Sequence, residues 1–163
     1  MRIRLRIPQV LAIVAVLSFG ALAAALVAQY VFDMQPCPWC VLQRLIFVVI
    51  GVLALVGAAT RGAVRRAATG LAIAAALSGI ASALWQQFYA ASENSCDLSL
   101  AERITTALHL DRLLPQVFIA YASCGDAAVS ILGIPFAIWS CAMFVLVAVL
   151  LAWTLRAALR TGR

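Results

Sequence analysis

Apolar residues run along the chain in four long blocks, over residues 9–31, 41–60, 67–91 and 133–155, each charge-free or nearly so. Each block comes close to the ~20 residues a helix needs to cross the hydrocarbon of a bilayer. In lipid every backbone N–H and C=O must be paired within its own segment, so blocks rich in Ala, Leu, Val and Ile form helices. A closed barrel would alternate apolar and polar residues, and these blocks do not. The pattern predicts an all-α membrane protein: a four-transmembrane-helix bundle with a short outer segment, 32–40, and a long loop, 92–132, between the third and fourth helices. No repeat, low-complexity tract or linker divides the chain, and 1–163 reads as a single membrane domain.

Inside the long loop, Leu98, Leu100, Ile104, Leu108 and Leu110 are interleaved with Glu102, Arg103, Thr105 and Asp111. That spacing predicts a short helix, either lying on the membrane face or packed on the mouth of the bundle.

Composition agrees with the pattern. The chain is 66% apolar and 11% charged, against roughly 45–50% and about 25% for a soluble domain. The first block also has the outline of a secretory signal, because Arg2, Arg4 and Arg6 precede it and small residues stand at Ala25 and Ala28. It is longer than the ~7–15 residues of a signal core and lacks a clear polar cleavage region, so it reads as an anchor; either way Cys37 lies outside.

Charge sets the orientation. All twelve basic residues are arginine, and nine of them fall in three places: Arg2, Arg4, Arg6; Arg61, Arg65, Arg66; and Arg156, Arg160, Arg163. The acids Asp33, Glu93, Asp97, Glu102, Asp111 and Asp126 all lie in the two remaining segments. By the positive-inside rule both termini and the 60–66 turn of this multi-pass protein face the cytoplasm, and the segments 32–40 and 92–132 face out. The net charge of +6 would otherwise suggest nucleic acid as a partner. Topology accounts for it, so the lipid bilayer is the expected surrounding and no nucleic-acid partner is expected.

That topology puts Cys37, Cys40, Cys96 and Cys124 on the outer side. Disulfides persist outside the cytoplasm, so Cys96 and Cys124 taken alone could be a structural staple. Cys37-Pro38-Trp39-Cys40 is different, because a bridge over two intervening residues closes almost no loop and adds little stability; it is better suited to being opened and closed by thiolate exchange. Pro38 suits the first position of a helix, which puts Cys37 at the cap and Cys40 at the third helical residue, where unpaired N–H groups and the helix dipole favour a thiolate. Arg44, one turn on, can bring a guanidinium near Cys40; the alternative for it is to snorkel to the headgroups. Zinc is the main competitor for four cysteines, but structural zinc usually takes two close pairs, so no metal is expected. Cys141 reads as a packing residue and His109 as a surface or interfacial histidine.

Cys-Pro-Trp-Cys-Val-Leu-Gln-Arg opening the second span, Ser95-Cys96-Asp97, Pro115-Gln116-Val117-Phe118, and Leu132-Gly133-Ile134-Pro135 with Trp139 together resemble the DsbB family over essentially the whole chain. The resemblance implies a protein dithiol:quinone oxidoreductase of the bacterial inner membrane, with its cysteine loops periplasmic, that reoxidises a periplasmic DsbA-like oxidase of thioredoxin fold and sustains disulfide bond formation. It implies redox disulfides Cys37–Cys40 and Cys96–Cys124, attack of the reduced partner on Cys96, a transient Cys37–Cys124 link, and Cys40 facing the quinone with Arg44 holding its thiolate. Ubiquinone is expected in an aerobic organism and menaquinone otherwise, with ubiquinone favoured. Many relatives carry a polar residue about where Ala83 stands; Gln86 and Gln87 are the nearest polar substitutes and are expected to contact the quinone. A vitamin K epoxide reductase would have its Cys-x-x-Cys after the loop cysteines, not before them. A DsbB paralogue for a dedicated partner would share the chemistry. A non-enzymatic scaffold or small transporter should carry midplane polar residues, of which there are few.

Overall fold

A computed structural model of the chain describes residues 6–90 and 100–161. Four helices are long and apolar enough to cross a membrane, as the sequence predicts. They are α1 (Ile7–Phe32), α2 (Pro38–Ala59), α3 (Gly62–Phe88) and α7 (Phe136–Thr161). Between α3 and α7 lie the short helices α4 (Leu100–Ala107), α5 (Leu110–Leu113) and α6 (Pro115–Phe118), then a hairpin of β1 (Ser130–Ile131) and β2 (Ile134–Pro135).

The spans form a ring in which α1 packs on α2, α2 on α3 and α3 on α7, with a sparser contact closing the ring between α7 and α1. Leu11 and Val14 of α1, Phe47 and Ile50 of α2, Ala72 and Ala76 of α3, and Phe144 and Val147 of α7 meet in the core. Phe47 and Phe144 stack with centroids 4.0 Å apart and planes 6° from parallel. Gly79 permits that stack, since a Cβ there would sit 2.5 Å from the Phe144 ring, which is the close helix approach that small residues provide in membranes. Apolar side chains on the outer faces, such as Val16 and Leu71, are exposed and have lipid for solvent.

The helix ends differ from the predicted blocks by up to six residues, the fourth helix running on to Thr161 rather than 155, and two of the differences have a visible cause. The fourth helix starts at Phe136, not at 133, because Leu132 and Gly133, at φ 56° and 78°, turn the hairpin that pairs Ser130 with Pro135 and Ile131 with Ile134. The third starts at Gly62, not at 67, so Arg65 and Arg66 lie inside it. Arg65 turns back, donating from Nε to the Gly57 carbonyl at 2.9 Å and from Nη2 to that of Thr60. It thereby satisfies carbonyls that the end of α2 leaves open. A charge that caps the preceding helix does not delay its own.

The loop helix α4 packs on α2. It does so through the small buried residues Ala101 and Thr105, while Leu100 and Leu108 remain exposed.

Candidate functional site

The N-terminal end of α2 is built by its cap. Cys37 is extended (φ −85°, ψ 167°), its sulfur accepts the Cys40 N–H at 3.3 Å, and Pro38 takes the first turn. The Cys37 carbonyl accepts from Val41 N at 3.0 Å, starting the helical ladder. This register brings the Cys37 and Cys40 sulfurs to 2.7 Å. Cys37 is fully buried and Cys40 half-buried.

The chain returns to this point from the far side of the long loop. The Pro36 carbonyl accepts from Tyr121 N at 3.0 Å and Ala122 N at 3.3 Å. Tyr30 donates its hydroxyl to the Gln116 carbonyl at 2.6 Å. Cys124 is thereby set within hydrogen-bonding reach of Cys37 and of the Trp39 N–H. The hydrogen bond from Cys37 holds the Cys124 thiol below its ordinary value, outweighing burial, which acts the other way. The same contact, with burial, pushes the Cys37 thiol up. Cys37 thus keeps its proton and offers it to a neighbouring sulfur. Cys96 lies outside the described residues.

Arg44 is buried and does not snorkel. Its Nη1 donates to Gln29 Oε1 at 2.7 Å and to the Val117 carbonyl at 3.0 Å, and its Nη2 to the Ala25 carbonyl at 3.3 Å. Its Nε–H is buried without a partner among the described residues. Gln86 donates from Nε2 to the Cys40 sulfur at 3.2 Å and accepts from Gln43 Nε2 at 2.7 Å. Gln87 is half-buried beside it and Ala83 is buried.

A cavity of about 200 Å³ lies between α1, α2 and α7, and Cys40, Gln43, Arg44 and Phe47 contribute to its wall with Phe136 and Trp139. On the α1 side the wall is Ala21, Ala24, Ala25 and Ala28, whose spacing puts small side chains on one helix face. A void of roughly 150 Å³ takes up benzene, so this one has room for a substituted six-membered ring. Gln86 and Gln87 are not part of its wall. Among the described residues no group of three or more His, Cys, Asp or Glu side chains could hold a metal ion. Cys141 is half-buried in α7, outside the cavity wall.

Sequence reasoning did not single out Gln29 or Gln43. Both are polar groups inside apolar spans, where burial demands a partner, and that was the available signal.

A four-span membrane protein that gathers three cysteines at the N-terminal end of one helix, against a ring-sized cavity, belongs among membrane thiol oxidoreductases. The family model for "Disulfide bond formation protein DsbB" matches residues 8–154. Disulfide bond formation protein B of Ralstonia nicotianae is 36% identical over 140 residues, covering 85% of this chain and 87% of that protein. Its namesake in Cupriavidus metallidurans is 33% identical over 129 residues, 78% of this chain and 80% of the relative. Disulfide bond formation protein B 1 of Pseudomonas syringae pv. syringae is 34% identical over 146 residues, 86% and 84% of the two chains. The chain belongs to the DsbB family. It is a multi-pass inner-membrane oxidoreductase of disulfide bond formation.

Proposed function

We propose that the chain reoxidises a periplasmic DsbA-like thiol oxidase and passes the electrons to membrane quinone, its second substrate. The observation that carries this reading is the position of Cys37 between Cys40, which borders the cavity, and Cys124, which belongs to the outer loop. A sulfur with both neighbours in reach can exchange one bond for the other without a large movement.

The reduced partner attacks Cys96 of a Cys96–Cys124 disulfide, leaves oxidised, and leaves two loop thiols. Cys124 as thiolate then attacks Cys37 of the Cys37–Cys40 disulfide, forming a Cys37–Cys124 bond and releasing Cys40 as a thiolate. Cys96 resolves that bond, which restores the loop disulfide and leaves Cys37 and Cys40 as a dithiol. Quinone accepts two electrons and two protons from this dithiol, the Cys37–Cys40 bond re-forms, and quinol departs. The net change is oxidation of one partner dithiol and reduction of one quinone.

The cavity suits the acceptor on two counts, its volume and the Arg44 side chain in its wall, whose positive charge favours the negative charge that a quinone oxygen gains on reduction. The positive-inside rule favours the loop cysteines in the periplasm and both termini in the cytoplasm.

Catalytic quinol formation by the purified protein, supplied with a reduced DsbA-type dithiol and with ubiquinone or menaquinone, tests the reading. Turnover by the wild type, lost in both Cys40→Ser and Cys96→Ser, is the expected result. Equal behaviour of wild type and Cys40→Ser with every quinone and partner would replace it with a structural membrane protein.

A further inference from the structure

The Gln86 amide is buried, and both of its ends are committed: its oxygen accepts from Gln43, and its nitrogen donates to the Cys40 sulfur. Among the described residues it is the side-chain N–H donor that reaches this sulfur; three of the four Nη–H bonds of Arg44 go to Gln29, Ala25 and Val117, and none of its nitrogens is hydrogen-bonded to the sulfur. An amide side chain can present either a donor or an acceptor, so its partner decides which end faces the sulfur. Gln43, on the same helix as Cys40, makes that decision by donating to the Gln86 oxygen.

We infer that Gln86 is a catalytic residue of the electron hand-off, donating a hydrogen bond to the Cys40 thiolate, and that Gln43 is a positioning residue that keeps the Gln86 donor aimed at the sulfur. The inference rests on the proposed function for its purpose, since the thiolate matters there as the form released beside the quinone. A bare thiolate at membrane depth is costly, and a hydrogen bond to a charged acceptor is among the stronger ones. A neutral amide offsets that cost without adding a second charge. Gln86 therefore acts on the sulfur rather than on the ring, consistent with its place outside the cavity wall.

The test is alkylation of the reduced full-length protein by iodoacetamide, with Cys40 followed by peptide mass spectrometry at neutral and at alkaline pH. Gln86→Leu slows Cys40 roughly tenfold at neutral pH and leaves the alkaline rate, where the thiol ionises in any case, near that of the wild type. Gln43→Glu gives a comparable slowing although Gln86 is intact. A carboxylate only accepts, so it turns the Gln86 amide and aims its oxygen at the sulfur. Because Gln86→Leu strands the Gln43 amide, the double variant Gln43→Leu/Gln86→Leu, which leaves neither unpaired, guards against misfolding. Wild-type neutral rates in Gln86→Leu and in the double variant would overturn the inference. The measurement uses neither quinone nor partner, so this failure is distinct from loss of turnover in the quinol assay.

Discussion

Gln29 holds Arg44: the side-chain oxygen of one accepts from Nη1 of the other at 2.7 Å, across the interface of α1 and α2. The same nitrogen reaches the Val117 carbonyl of the loop between α3 and α7, so one guanidinium ties together two spans and the segment leading to Cys124. Of the five N–H bonds of the guanidinium three are engaged, which leaves the Nε–H and one Nη2–H. Gln29→Leu removes the strongest of its anchors, and the KM for quinone should rise roughly tenfold with kcat little changed, given the worth of a hydrogen bond to a charged group. Steady-state kinetics at saturating dithiol measure this. An unchanged KM would mean that the carbonyls alone orient Arg44.

Cys37 and Cys124 are close enough to share a proton, which predicts their covalent pairing when their usual partners are removed. In Cys40→Ser/Cys96→Ser, air oxidation should yield an intramolecular Cys37–Cys124 disulfide in most molecules, read by non-reducing peptide mapping. Pairing of either residue with Cys141, or between chains, would contradict the geometry.

The lowered thiol of Cys124 gives a pH dependence with a definite sign. A group whose pKa is depressed stays ionised to lower pH, so the alkylation profile of Cys124 in the reduced protein should lie at lower pH than that of an ordinary thiol of pKa about 8.5. Cys37→Ala removes the first cause of the shift and should move the Cys124 profile toward that ordinary value. Identical profiles with and without the Cys37 thiol would show that it is not the donor.

The spans were legible because the apolar blocks are long, and the register of Cys37 and Cys40 because Pro38 announces the first turn of a helix. The return of Cys124 to Cys37 was not legible from spacing: it depends on the Pro36 carbonyl receiving Tyr121 and Ala122, a contact between distant segments that no local pattern encodes. The family resemblance implied that meeting without giving its cause. Gln86 was singled out for the quinone, yet its donor faces the Cys40 sulfur, because the α2–α3 interface and not the cavity receives it. Arg65 shows the limit of reading a helix start from charge, since it lies inside α3 and caps α2.

Packing in the bundle gives a prediction independent of redox chemistry. Gly79→Ala would drive a Cβ to 2.5 Å from the ring of Phe144, which is fully buried and stacked on Phe47. The expected cost is about 1–3 kcal/mol, seen as a lower unfolding midpoint in detergent. Gly51→Ala meets the Phe19 ring at 2.7 Å, but that ring is 36% exposed and can swing toward lipid, so it should cost less. Equal losses would show that the two rings are equally confined.

The central claim is that Cys40 delivers electrons to a quinone in the cavity beside it, and a single-turnover experiment isolates that step. Cys96→Ser/Cys124→Ser protein is reduced beforehand, freed of reductant and mixed with quinone, so that Cys37 and Cys40 are the pair left to react. Quinol should form in a burst stoichiometric with protein as the Cys37–Cys40 disulfide closes, and the burst should vanish when Cys40→Ser is added to the same background. A burst that survives Cys40→Ser, or none from the intact pair with any quinone, would contradict the account.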